Sequence, residues 1–239
     1  MHKIFQTNVK PSRIERINME SSLARRIKPA IGVCLAIVLG TSVSVFTSKA
    51  FSENPQLFGK SLATWMEIYE RWDFGQTTIP TDNNGNAVVD GVVLLPIPKN
   101  AFGDGRPANI EVKLNEGQPF ALPLWVLLGT SYDDGTSDPF EPLSVFQTLV
   151  IDFQVDGHTL INSSNALDYF SKFQFIPKIP VSFPPINGIV WFEGIGIVHT
   201  GLESGTHKLK LDAKNTQPAF GAIFDYHNTW IVHVKQEKK

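Results

Sequence analysis

Cysteine is almost absent from this chain. The only one, Cys34, lies inside the apolar run AIGVCLAIVLG at residues 30–40, a run expected to leave with a signal peptide. A mature chain without thiols has no disulfide staples, no thiolate metal ligands and no cysteine nucleophile, so its stability must come from a core. Basic charge is also scarce outside the N-terminal segment. Of the 21 Lys and Arg, 8 fall in residues 1–50, against 2 of the 23 Asp and Glu. The rest carries 13 basic and 21 acidic side chains, a net charge of −8, which argues against nucleic acid or an anionic membrane surface as partner. No G-x-S-x-G elbow, P-loop, G-x-G-x-x-G fingerprint or His-Glu-x-x-His pair occurs, so the motif-bearing hydrolase, nucleotide and zinc chemistries have no foothold. Neither an internal repeat nor a low-complexity tract interrupts the chain.

What is present begins with targeting. Arg25, Arg26 and Lys28 precede the apolar run, and TSVSVFTSKA follows it with small residues. Basic, apolar and small-residue segments in that order make a secretory signal peptide. Ser48 and Ala50 supply the small side chains at minus three and minus one, so residues 1–50 are expected to be removed after Ala50. Residues 1–18 are polar and outside this architecture, which makes Met19 a candidate start. An uncleaved anchor needs about 20 strongly apolar residues, and Thr41, Ser42 and Ser44 dilute the run. IKP after the arginines lacks the apolar pair of a twin-arginine signal, and Val33 before Cys34 is not the small residue of a lipid-attachment site. The expectation is a secreted or periplasmic protein with no stable membrane anchor after cleavage.

The mature chain divides at residue 78. Residues 51–78 form a lead-in and an amphipathic helix over GKSLATWMEIYERW, where Leu62, Trp65, Met66, Tyr69 and Trp72 share one face and Ser61 suits the N-cap. This aromatic stripe suits packing on a core better than an exposed sugar-stacking platform. From 79 to 235 the apolar runs VVLLPIP, IEVKL, FALPLWVLLG, SVFQTLVIDFQV, FQFIP, GIVWFEGIGIVH, HKLKL and AIFDYHNTWIVHV read as strands. Asp156-Gly157 signals a tight hairpin. Short strands without alternating helices predict a mainly β fold, an antiparallel β-sandwich of jelly-roll or Ig-like kind with the helix packed on it. In LESGTHKLKL, residues 202–211, an extended strand puts His207 with Leu209 and Leu211 and the two lysines opposite. His207 is therefore expected to be a half-buried, hydrogen-bonded strand residue rather than a catalyst.

GKSLATW with ERW, EGQPFALPLW, VDGHTL, and LESGTHKLKL followed by FDYHNTWIVHV together resemble a family of uncharacterised exported bacterial proteins. Its members carry a signal peptide, a tryptophan-rich Gly-Lys-Ser helix, a "DG" hairpin and a closing L-x-x-G-x-H strand pair. The similarity spans most of residues 58–234. This chain departs from many members in lacking mature cysteines and in having one helix tryptophan fewer. The resemblance implies export and a β-rich fold, and supplies no catalytic residues.

Two loops and one strand hold the candidate chemistry. In TDNNGNAVVDG, Asp82, Asn84, Asn86 and Asp90 fall at positions 1, 3, 5 and 9 of a calcium-loop count. Ala87 replaces the glycine and Val93 the bidentate glutamate, so a polar turn is expected and no metal or other cofactor. SYDDGTSDPFEP groups Asp133, Asp134, Asp138 and Glu141, which suit a Ca²⁺ site or paired carboxylates for glycoside hydrolysis; Asp, Gly, Ser and Pro also make plain solvated turns, the favoured reading, yet a long loop on a sandwich is the expected place for a binding site. Asp225 and His227, two apart on the last strand, form a further candidate pair, whereas His227 and His233 are too far apart in a strand to share a metal. His158 and His199 stand alone. The leading expectation is a non-catalytic binding or structural module whose site includes Asp133, Asp134, Asp138, Glu141, Asp225 and His227, with a polysaccharide or envelope component as partner. The alternative is an exported carboxylate-dependent hydrolase of polysaccharide, with or without calcium.

Overall fold

The structure, a computed structural model, describes residues 57–236. The expected signal peptide, Cys34 and the Ala50 cleavage site lie outside the described residues. The first element is helix α1 (Leu62–Asp73), opened by Ser61, whose Oγ accepts the Thr64 amide, and closed by an Arg71–Glu67 pair one turn apart. Leu62, Trp65, Met66 and Tyr69 are buried along one face, as the i, i+3, i+4, i+7 spacing requires.

Two five-stranded sheets follow. Sheet I orders β1 (Val88–Val89), β2 (Val92–Leu94), β4 (Phe120–Tyr132), β8 (Ile186–His199) and β7 (Phe170–Phe183). Sheet II orders β3 (Asp104–Asn115), β10 (Asp225–Lys235), β9 (Gly205–Lys214), β5 (Val150–Val155) and β6 (His158–Asn162). The fold is thus mainly β with few helices. Strand direction differs from the all-antiparallel expectation: β2 pairs β4, and β3 pairs β10, in parallel. The chain leaves sheet I after β2, runs through sheet II as β3 and returns as β4, so the two sheet-I strands point the same way. SVFQ, expected as strand, is instead the short helix α2 (Leu143–Gln147), entered through Pro142 and burying Val145 and Phe146.

Burial patterns explain the layers. In sheet II apolar residues alternate with polar ones: Leu209, Leu211 and Ala213 of β9 and Trp230, Val232 and Val234 of β10 point to a core shared with sheet I. Lys210, Asp212, Thr229 and His233 point the other way and are only partly covered. In β4 and β8 burial is nearly continuous, because both faces are covered. Phe120, Leu122, Trp125 and Leu127 join the intersheet core, while Ala121, Val126 and Leu128 meet the α1 side. The switch from even to odd residues occurs at a bulge, where the pairing passes from Pro123–Gly196 to Trp125–Ile195 and leaves Leu124 extra. One inserted residue reverses the face of everything after it.

The α1 layer sits close enough to make a glycine necessary. A Cβ on Gly196 of β8 would lie 2.4 Å from Met66 Sδ. Gly196→Ala is therefore expected to destabilise by about 1–3 kcal/mol through overpacking, and Met66→Ala alone by about 2–5 kcal/mol through a cavity. In denaturant unfolding, the double variant should lose less than the sum, since the new methyl enters the space that Met66 vacates. Strict additivity would mean that helix and strand do not meet as described.

Candidate functional site

The acidic segment between β4 and α2 is a strap across the inner side of sheet I. Its first turn is held by Asp134, whose Oδ1 accepts the Thr136 amide and hydroxyl at 2.9 and 2.7 Å. These bonds hold its carboxyl below the usual range. Asp133 and Asp134 are both exposed. Asp138 is 7% exposed, and its carboxylate accepts from Thr130 N at 3.0 Å, Thr130 Oγ1 at 2.6 Å and Tyr132 OH at 2.9 Å. Glu141 accepts the Phe220 amide at 2.8 Å and donates its own amide to Glu193 Oε2 at 2.9 Å. The carboxylates of Asp134, Asp138 and Glu141 are thus acceptors for specific donors of the fold.

Trp191 anchors the strap. Its indole packs against Gly129, where a Cβ would come within 1.9 Å of the ring, and its Nε1 donates to the Asp138 carbonyl at 2.8 Å. Phe140 packs on it tilted by 32° at 4.8 Å, and Phe220 stacks on it at 5.8 Å between centroids. Lys172 Nζ stands 3.8 Å from the Phe140 centroid and 2.8 Å from Glu193 Oε1. Glu193, 1% exposed, has its carboxyl pushed up by burial, with Lys172 only partly offsetting this. Phe220 occupies the left-handed region at φ 49° in the Ala219–Ala222 turn, which costs about 1–2 kcal/mol for a residue with a side chain; its ring contact with Trp191 offsets that strain.

Between the strap and the edge strand β7 lies a cleft of about 370 Å³ lined by Ser137, Pro139, Phe140, Gln174, Val190 and Trp191, among others. The Ser137 hydroxyl and the Gln174 carboxamide are exposed and make no side-chain hydrogen bond to a described residue. Asp138 also lines the cleft, but its carboxylate oxygens are engaged by Thr130 and Tyr132; beside it the cleft offers neutral groups that both donate and accept, and an apolar wall. Trp191, Glu193, Lys172 and Phe220 were not among the candidates read from sequence. A charged residue inside the apolar run IVWFEGIGIV was the available signal.

The other sequence candidates lie apart from this cleft. Asp225 and His227 are on the solvent side of sheet II, opposite the face that carries Trp230. There His227 Nδ1 meets Asp212 Oδ1 at 2.6 Å and Nε2 meets Asp225 Oδ1 at 3.2 Å, while Lys210 and Lys214 bind the same two aspartates. Burial raises the Asp212 carboxyl, but hydrogen bonds from His227 and Lys210 outweigh it and hold the group low. Direct contacts at these distances leave no space for a cation, and among the described residues no group of three or more His, Cys, Asp or Glu is arranged for a metal. Asp82 spends its oxygens on the Asn84 and Asn86 amides and the Asn86 and Gln118 side chains. Asp90 turns away, at φ 48° in the β1–β2 hairpin, to pair with Lys60. His158 is exposed, and His199 stacks on Phe120, burial pulling its pKa down.

His207 lies half-buried on the Leu209 side of β9. Its Nδ1 meets Asp156 Oδ2 at 2.6 Å and its Nε2 meets the Glu203 carbonyl at 2.9 Å. Both partners accept, so both ring nitrogens carry protons in the satisfied state, and the Asp156 hydrogen bond, against burial, raises the His207 pKa. Burial raises the Asp156 carboxyl, but the Lys208 amide and His207 outweigh it and lower it. The raised histidine stabilises fully below its unfolded value of about 6.5 and loses this as pH rises through the folded value; the lowered aspartate stabilises above about 3.9 and loses this on acidification. His207→Ala is therefore expected to cost about 1–3 kcal/mol at mildly acid pH and less at pH 8.5, with Lys208→Ala within about 0.5 kcal/mol at both. Denaturant unfolding at the two pH values checks this, and a loss that grows with pH would contradict it.

Comparison with known proteins adds little to this geometry. No protein-family model and no curated protein matches the chain. Among solved structures it is similar to one titled "Solution Structure of Amebosin", at 17% identity over 55% of this chain and 92% of that one, with a TM-score of 0.20. At that TM-score the likeness carries no argument about fold or activity.

Proposed function

We propose that this is an exported, non-catalytic binding module of the cell envelope or extracellular space, a β-sandwich of jelly-roll or Ig-like kind with two parallel pairings. Its ligand is a polysaccharide segment or a saccharide-bearing envelope component, held in the cleft between the strap and β7. The observation that carries this reading is the lining: unspent neutral groups on Ser137 and Gln174 beside Phe140 and Pro139 suit a molecule with hydroxyls and an apolar face. Support for binding over hydrolysis comes from the carboxylates. Asp138 and Glu141, the strap's best candidates for acid and base, already accept hydrogen bonds that fix the strap. Export rests on the order of segments in residues 1–50 and on the resemblance to exported bacterial proteins. Among the described residues no helix is long and apolar enough to cross a membrane, which is compatible with that route.

Glycan-array screening of the purified full chain, followed by calorimetry, tests the reading. Saturable binding to a saccharide is expected, weakened about tenfold, or about 1.4 kcal/mol, by Gln174→Ala, a change that touches no hydrogen bond of the fold. Release of reducing ends from the bound glycan would favour the hydrolase reading, and binding indifferent to Gln174→Ala would remove the cleft from the account.

A further inference from the structure

We infer that the cleft takes a carboxylate-bearing glycan, with Lys178 as the group that reads its charge; the inference rests on the proposed saccharide site and names the class of its ligand. β7, which carries Gln174 of the cleft, also carries a lysine on either side of it in sequence, Lys172 and Lys178. Lys172, over the lining residue Phe140, is neutralised by its pairing with buried Glu193. Lys178 is not. Its Nζ donates to Ser131 Oγ at 3.1 Å and to Asn187 Oδ1 at 2.5 Å, both neutral oxygens, and no carboxylate among the described residues forms an ion pair with it. The backbone of Ser131 pairs antiparallel with that of Ser137 of the cleft wall, so the residue that the ammonium contacts is a direct strand neighbour of the lining.

Lys178 is also held in place, unlike an ordinary surface lysine. Its stem lies on Gly188, where a Cβ would come within 2.7 Å of Lys178 Cδ. Asn187 is itself fixed by donating to the Tyr132 carbonyl at 2.7 Å, and Ser131 donates to Asn187 at 2.6 Å. An ammonium has three N–H donors. Two are given to Ser131 and Asn187, which leaves one for a ligand, with little side-chain freedom left to lose on binding. One fixed N–H bearing a full charge matches a single carboxylate oxygen, as on a uronic acid. A phosphate monoester, close to doubly charged at neutral pH, would want more donors than the one N–H left here. The exposed carboxylates Asp133 and Asp134 on the adjoining turn confine the attraction to the immediate neighbourhood of Lys178, so one charge contact per site is expected, with modest salt dependence.

The test uses calorimetry on the full chain with oligogalacturonate and with alginate oligomers, each beside its methyl ester, so that charge changes while the backbone is kept. At least one free acid should bind about tenfold tighter than its ester. Lys178→Met should abolish that preference, bringing acid and ester to equal affinity, Lys178→Arg should keep most of it, and Lys113→Gln, on the far side of sheet II, should change nothing. Equal affinity for acid and ester, or a preference that survives Lys178→Met in a folded variant, overturns the inference but leaves the saccharide cleft standing. Binding of none of the four probes overturns both.

Discussion

One indole holds the candidate site together. Trp191 lies against Gly129, donates to the Asp138 carbonyl and carries Phe140 and Phe220 on its ring. Through these contacts a single side chain of β8 joins β4, the strap of residues 133–142 and the β9–β10 connection. The arrangement requires glycine at 129, since any Cβ there would collide with the ring. It also needs the hydrogen bond, because a buried carbonyl without a donor costs about 1–3 kcal/mol. The cleft is the space left beside this stack, so its shape follows from the anchor.

The second constraint is the double burial of sheet I. Its central strands pack on α1 on one side and on sheet II on the other, so β4 and β8 must be apolar on both faces and must offer glycine where a neighbour comes closest, at Gly129 and Gly196. Buried charge is then tolerated only with partners. Glu193 shows the terms: it sits inside the apolar run but is met by Lys172 and by the Glu141 amide. Glu70 of α1 meets burial differently, its carboxyl pushed up by desolvation and by nearby Asp73. Asp82, Asp138 and Asp156 accept backbone amides and fix turns, which is why a chain rich in carboxylates need not be using them for catalysis.

Part of this was legible in the sequence. Alternation in HKLKL put His207 with the leucines, and the unbroken run FALPLWVLL differs from it because no face of β4 is wet. Asp156-Gly157 encodes its turn through the positive φ that the pair tolerates. Other features have no local code. Phe220-Gly221 makes a turn of the same positive-φ kind with a bulky residue in the strained place, paid for by a ring contact that only the tertiary structure supplies. SVFQ carries strand-forming residues yet coils after Pro142, since burying Val145 and Phe146 decides the matter. The parallel pairings depend on the chain's excursion through the other sheet. Lys178, Ser131 and Asn187 are far apart in sequence, and no spacing could bring them together on paper.

The claim on which the account turns is that Trp191 fixes the strap and hence the cleft. Amide hydrogen exchange on Trp191→Phe, which keeps an aromatic ring and removes the N–H donor, tests it most directly. Protection should fall selectively in residues 133–142 and 219–222, while β9 and the α1 core keep theirs, and global stability should drop by about 1–3 kcal/mol. Unchanged protection in the strap, or a uniform loss across the whole molecule, would contradict the account.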